Sequence, residues 1–172
     1  YSARICIQEA RRNAGREWDN LEVMAVDVEI DGLTEAPIYE LCANLIALGL
    51  TVPIYSAQWF WMGKLGNPQW PWLREHKLWN AYYDADPDLD FTRVPYGPWT
   101  MADLIGEQFK GTTHVAGVDI DLDIFDLDYF TGGEDMGKLA DHLKEPVPGY
   151  VVDGKPLTLG KILEQLWWGI AV

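Results

Sequence analysis

Apolar and polar positions follow two periods along this chain, and the switches between them mark its elements. Residues 2–14 (SARICIQEARRNA) carry helical spacing and stop at Gly15. Glu22 to Ile30 (EVMAVDVEI) predicts a strand, with Val23, Ala25 and Val28 apolar. Thr34 suits an N-cap and Pro37 a first turn, and Ile38, Leu41, Cys42, Leu45 and Ile46 then recur at helical spacing until Gly49. Thr51 to Ala57 (TVPIYSA) predicts a second strand, followed by a short aromatic helix or loop to Gly66. Leu78 to Tyr83 (LWNAYY) predicts a third strand and Glu107 to Lys110 a short fourth. Val118 to Phe125 (VDIDLDIF) alternates strictly and is the clearest strand of all.

Strand, helix and strand joined tightly predict parallel β/α units, with the sheet buried between helices. The spacing is that of a β/α barrel. A complete barrel of this class needs about 200 residues or more, and the chain has 172. The expectation is an α/β fold, a partial or reduced (β/α) barrel over residues 1–130, with a linker and helical tail over residues 131–172. In that tail Glu134 to Lys144 predicts a short helix, and Pro146, Pro148 and Gly149 a linker. Tyr150 to Val152 and the turn Asp153-Gly154 then lead to an amphipathic helix from Thr158. Its stripe of Leu159, Ile162, Leu163, Leu166 and Trp167 is expected to dock on protein, because burial stabilises each such side chain by roughly 1.5–3 kcal/mol. The chain opens on Tyr1 with no leader pattern, so it reads as a fragment or a processed product.

Charge removes two classes of partner. Lys and Arg number 13 against 27 Asp and Glu, a formal net charge of −14, and that field repels nucleic acid and anionic membrane surfaces alike. The uncharged stretch from Leu41 to Gly63 holds Gly49, Thr51, Pro53, Ser56 and Gln58, which makes it core and not a membrane insertion. Cys6 and Cys42 sit in apolar helical contexts and read as free thiols. His76, His114 and His142 lack metal-ligand spacing, so no metal site is expected.

Three features carry candidate chemistry. Asp27 and Glu29 lie two apart on a predicted interior strand, which puts both carboxylates on one face, roughly 7 Å apart along it. Such a pair repels and loses hydration unless it shares a proton or meets a substrate; a strand end emerging into solvent explains it equally well. Asp119, Asp121 and Asp123 share a face of the last strand, opposite Val118, Ile120, Leu122 and Ile124. A calcium loop is excluded because Ile124 and Phe130 occupy its glycine and glutamate positions. A solvated face, an irregular cation site and a cleft wall stay open. The third feature is aromatic: Trp59, Trp61, Trp70, Trp72 and Trp79 interleave with Tyr55, Phe60, Tyr82 and Tyr83. Rings in such numbers form a core, a sugar-stacking surface, or both.

The ordered set DVE (27–29), PIYS (53–56), LWNAYY (78–83), EQF (107–109) and DLDIF (121–125) resembles glycoside hydrolase family 25, the N-acetylmuramidases (lysozymes) of bacteriophage endolysins and bacterial autolysins. The resemblance covers about residues 1–130 and implies a barrel of the glycosidase type that cleaves peptidoglycan glycan strands at the host cell wall. It implies Glu29 as general acid, Asp27 as the carboxylate that orients the substrate or stabilises charge, and Asp121 as a further acidic wall, with Asp119 competing for that place. Tyr55, Trp79, Tyr83 and Gln108 would line the sugar subsites. The reaction calls for no cofactor. Where the family has Trp-Gln-Tyr, this chain has Glu107-Gln108-Phe109. The family's opening strand with its Asp has no counterpart, so an N-terminal segment or another chain is expected to complete the barrel. The competing expectation is a non-catalytic virion or wall-binding module that keeps the fold.

Overall fold

The computed structural model describes residues 2–89, 95–115, 117–131, 146–152 and 155–158. Two compact units are present, Tyr1–Thr113 with Asp119–Asp126, and His114–Val118 with Leu127–Val172.

The first unit is built on a five-stranded sheet in the order β1 (Val26–Asp27), β2 (Ile54–Ser56), β3 (Leu78–Ala81), β4 (Leu104–Val115), β5 (Val118–Phe125). The first four strands are parallel. Helices α1 (Ala3–Ala14), α2 (Glu35–Ala47) and α3 (Gln58–Gly63) belong to this part of the chain. Only two residues separate β4 from β5, a connection that antiparallel neighbours alone can make. The mixed sheet with its helices is compatible with part of an α/β barrel.

Four strand spans differ from expectation, among them β2, which covers Ile54–Ser56 of the expected 51–57. β1 is two residues long because Pro53, facing it, has no N–H to donate. Its neighbours keep the ladder: Thr51 N–H donates to the Glu22 carbonyl, Met24 N–H to Thr51, Val26 N–H to Pro53 and Val28 N–H to Tyr55. The proline's rung is missing between the bridge at Val23–Thr51 and β1 itself. β3 stops at Ala81, although Tyr82 N–H still reaches the Gln108 carbonyl at 3.0 Å. β4 runs for 12 residues where four were expected. Pairing with β3 and β5 carries the strand through Gly106 and Gly111.

The core lies between the sheet and the helices. Val26, Val28, Ile54 and Leu78 from the sheet pack with Ile38, Cys42 and Leu45 of α2 and Phe60 and Trp61 of α3. Burying side chains of this kind stabilises the fold by roughly 1.5–3 kcal/mol each. Trp61 and Trp99, both fully buried, meet edge to face with centroids 4.7 Å apart. Their indole N–H groups donate to the carbonyls of Pro68 (3.2 Å) and His76 (2.9 Å), so neither is buried with a donor unmet. The aromatic run therefore divides: Trp61 is core, Trp59 is exposed, and Trp70 and Trp72 stack on each other with planes 8° apart. Cys6 and Cys42 are both free thiols, Cys42 fully buried.

The second unit contains α4 (Leu127–Thr131) and an antiparallel pair, β6 (Pro146–Val152) with β7 (Lys155–Thr158). The expected linker at Pro146, Pro148 and Gly149 is thus a strand. A two-stranded ribbon consists wholly of edges, where a proline's missing N–H costs no essential rung. Thr158 is the last residue of β7. The helix expected over 134–144, and the stripe from Leu159 to Trp167, lie outside the described residues.

Candidate active site

A cleft of about 590 Å³ opens on the first unit, lined by Ala25, Asp27, Glu29, Tyr55, Trp79, Tyr83, Gln108, Gly111, Thr112, Asp121 and Asp123. The sheet assembles it through alternation. Asp27 ends β1 in register with Tyr55 of β2, and Tyr55 is in register with Trp79 of β3. Their neighbours Val26, Val28, Ile54 and Leu78 point the other way into the core. All seven residues that the sequence marks out (Asp27, Glu29, Tyr55, Trp79, Tyr83, Gln108 and Asp121) are brought to this one cleft. Asp119 is exposed and does not line it.

The wall is hydrogen-bonded to itself. The hydroxyls of Tyr55 and Tyr83 both donate to Gln108 Oε1, at 2.6 and 2.9 Å. Trp79 meets Tyr55 edge to face on one side and Phe125 on the other, each at 4.9 Å between centroids. Trp79 Nε1–H donates to Asp123 Oδ1 at 3.0 Å. Asp121 Oδ1 accepts the backbone N–H of Thr112 at 2.8 Å. Thr112 makes that bond at φ 38°, a left-handed conformation that costs a non-glycine residue roughly 1–2 kcal/mol.

The carboxyls are held in unequal environments. Glu29 is partly buried, while Asp27 and Asp121 are more open to the cleft. Burial raises the Glu29 pKa above its ordinary value, and the charge of Asp27 raises it further. Asp27 is raised by burial. Asp123 is also raised, by burial first and by Asp121, against the lowering effect of the Trp79 hydrogen bond. Burial above all, with Tyr83, Glu29 and Asp27 adding, keeps the Tyr55 hydroxyl protonated far into the alkaline range. Both carboxyls are raised, Glu29 with the added charge of Asp27 beside it, and a carboxyl raised in pKa suits general acid chemistry. Among the described residues no group of three or more His, Cys, Asp and Glu could hold a metal ion, and no helix is long and apolar enough to cross a membrane.

Sequence reasoning put Asp123 on the same strand face as Asp121 without giving it a role. Its bond to Trp79 joins positions 44 apart, which periodicity cannot see. Thr112 was missed altogether, because its contribution is a backbone N–H. The Glu107 and Phe109 departures fall outside the cleft: both are buried, and alternation along β4 turns them away from the face that Gln108 presents.

Fold and cleft together describe a mixed five-stranded sheet with helices, compatible with part of an α/β barrel, that carries a carboxylate-lined, aromatic-walled groove. The chain is 33% identical over 78 residues to a protein of Dictyostelium discoideum named probable GH family 25 lysozyme 3. That match covers 45% of this chain and 15% of the relative, so the chain spans only a small part of the protein it resembles. No family profile and no solved structure matches it. The similarity is thus to part of a protein named a glycoside hydrolase family 25 lysozyme.

Proposed function

We propose that this chain cleaves the glycan strands of peptidoglycan as an N-acetylmuramidase, at the β-1,4 bond that follows N-acetylmuramic acid. The observation that carries the reading is the meeting of Asp27, Glu29 and Asp121 with Tyr55 and Trp79 in one cleft. The partial similarity to a lysozyme supports it. Glu29 protonates the leaving glycosidic oxygen, and its raised pKa favours that role. Asp27 orients the substrate or offsets the positive charge that develops at the sugar carbon, and Asp121 forms a further acidic wall. Tyr55, Trp79 and Tyr83 offer ring faces to sugar C–H groups. The chain's own carboxyls carry the acid and electrostatic steps. The place of action is the bacterial wall, and the finer reading is an endolysin of the bacteriophage type, its barrel completed by an N-terminal segment or another chain.

Glu29→Gln tests this, because it keeps the shape and removes the proton donor. In the protein that lyses walls, turbidity loss of a peptidoglycan suspension should slow by about 10²–10⁴-fold while pelleting with the wall persists. Asp135→Asn should change little. Wild-type lysis by Glu29→Gln would refute the assignment. A wild type that pellets with walls and never clears them would instead establish the non-catalytic wall-binding module.

A further inference from the structure

A second hollow, of about 520 Å³, opens on the first unit where the start of α2 meets the turn at Pro71–Glu75, and it shares no residue with the cleft. Thr34, Glu35, Ala36, Tyr39 and Trp72 line it. The rings of Tyr39 and Trp72 stand 77° apart with centroids 5.2 Å apart, so they bound a right-angled corner. Trp72 is fixed in place. Trp70 lies parallel to it at 6.1 Å, His76 meets it edge to face at 5.5 Å, and its indole N–H donates to Glu35 Oε1 at 2.9 Å. Tyr39 is 53% exposed, so the corner opens to solvent along one ring.

The chemistry of the corner selects among ligands. Aromatic faces carry the negative side of a quadrupole, and here the rings stand beside a carboxylate on a chain of net charge −14. Positive charge is attracted and anions are repelled. The backbone N–H groups of the first turn of α2 would favour an anion, but Glu35 occupies that turn and offsets them. Hydrogen-bonding capacity is scarce, because the Trp72 indole N–H is already committed to Glu35. A sugar or a primary ammonium brings several donors and would leave some of them unmet. A quaternary ammonium brings none. Its charge is spread over a shell of methyl C–H groups that pack on rings as an apolar body does.

We propose that this corner binds a small quaternary ammonium compound, with the rings of Tyr39 and Trp72 taking its methyl groups and Glu35 balancing its charge. Nothing in the glycan-cleaving reading requires such a site, and the two are tested separately.

Tetramethylammonium is the probe, titrated into the full chain in ~150 mM sodium chloride so that loose counterion attraction is screened. Binding is followed by NMR at the tryptophan indole N–H resonances, the Trp72 signal being the one that Trp72→Phe removes. Tert-butanol, of similar size and without charge, is the comparison. The wild type should bind the cation at least about tenfold more tightly than the alcohol, and the Trp72 resonance should shift saturably. Tyr39→Leu keeps apolar bulk and removes a ring; it should weaken the cation about tenfold and leave the alcohol within about twofold. Glu35→Gln keeps an acceptor for the indole and removes the charge, and it should weaken the cation about three- to tenfold. Both positions are exposed, so the fold tolerates either change. Glu40→Gln removes the same charge from an exposed place on α2 outside the hollow, and should alter the affinity by less than about twofold. The absence of a saturable shift, or equal binding of cation and alcohol, overturns the proposal. So does an affinity that Tyr39→Leu leaves intact. Weakening by Glu40→Gln as large as that by Glu35→Gln overturns it as well, because the attraction would then belong to the field of the whole chain.

Discussion

Glu29 is a residue that the native state holds at a cost. Burial first, and the charge of Asp27 second, make its carboxyl easier to protonate in the folded chain than at its ordinary value of 4.5. Between those two pKa values the native state binds more protons than the unfolded state. Stability therefore falls as pH rises through that window, and the cost is complete above it. Glu29→Gln removes the cost. The side chain is partly exposed, so solvent screening keeps the gain below about 1 kcal/mol, or roughly 2–4 °C in Tm for a chain of this length. Scanning calorimetry should show that gain near neutral pH and almost none below about pH 4, where both states are protonated. A variant that melts lower than wild type at neutral pH would show that the native fold needs the ionised carboxylate.

At the scale of elements, β4 and β5 close the cleft by a contact that admits no side chain. A Cβ built on Gly106 would run into the ring of Phe125, which also packs on Trp79. Gly106→Ala should push that ring off the strand and cost about 1–3 kcal/mol of unfolding free energy in denaturant titrations. Tryptophan emission should shift along with it, and an unchanged midpoint would mean that Phe125 moves freely. The same glycine explains what the sequence conceals. In β5 every second residue is apolar, and the strand is legible to the residue. In β4 the glycines that admit Phe125 and seat Tyr83 are the residues that read as punctuation. Asp27 and Glu29 were legible because period two is a local rule. The bonds that hold Asp121 and Asp123 depend on a hairpin partner and on a strand 44 positions away, and no local pattern records them.

For the whole molecule, the excess of acid sets how it meets its surroundings. A net charge of −14 opposes close approach of two copies in solution, and under the proposed function it also opposes approach to a wall that carries anionic polymers. Lysis of intact walls should therefore quicken as salt rises from about 10 to 150 mM, over which the Debye length falls from roughly 30 to 8 Å. Binding of a neutral soluble hexamer of N-acetylglucosamine should stay flat over the same range. Equal salt dependence of the two would place the effect in the cleft and not in the encounter. Cys42 adds a further consequence. It is 1% exposed on the inner face of α2, and burial pushes its thiol up to about 12, whereas Cys6 is partly open to solvent. The thiolate is the nucleophile that attacks alkylating reagents, so the folded chain shields one of its two sulfurs and offers the other. Each modification of Cys42 therefore records a moment when α2 has lifted from the sheet, and the protein carries its own chronometer of opening.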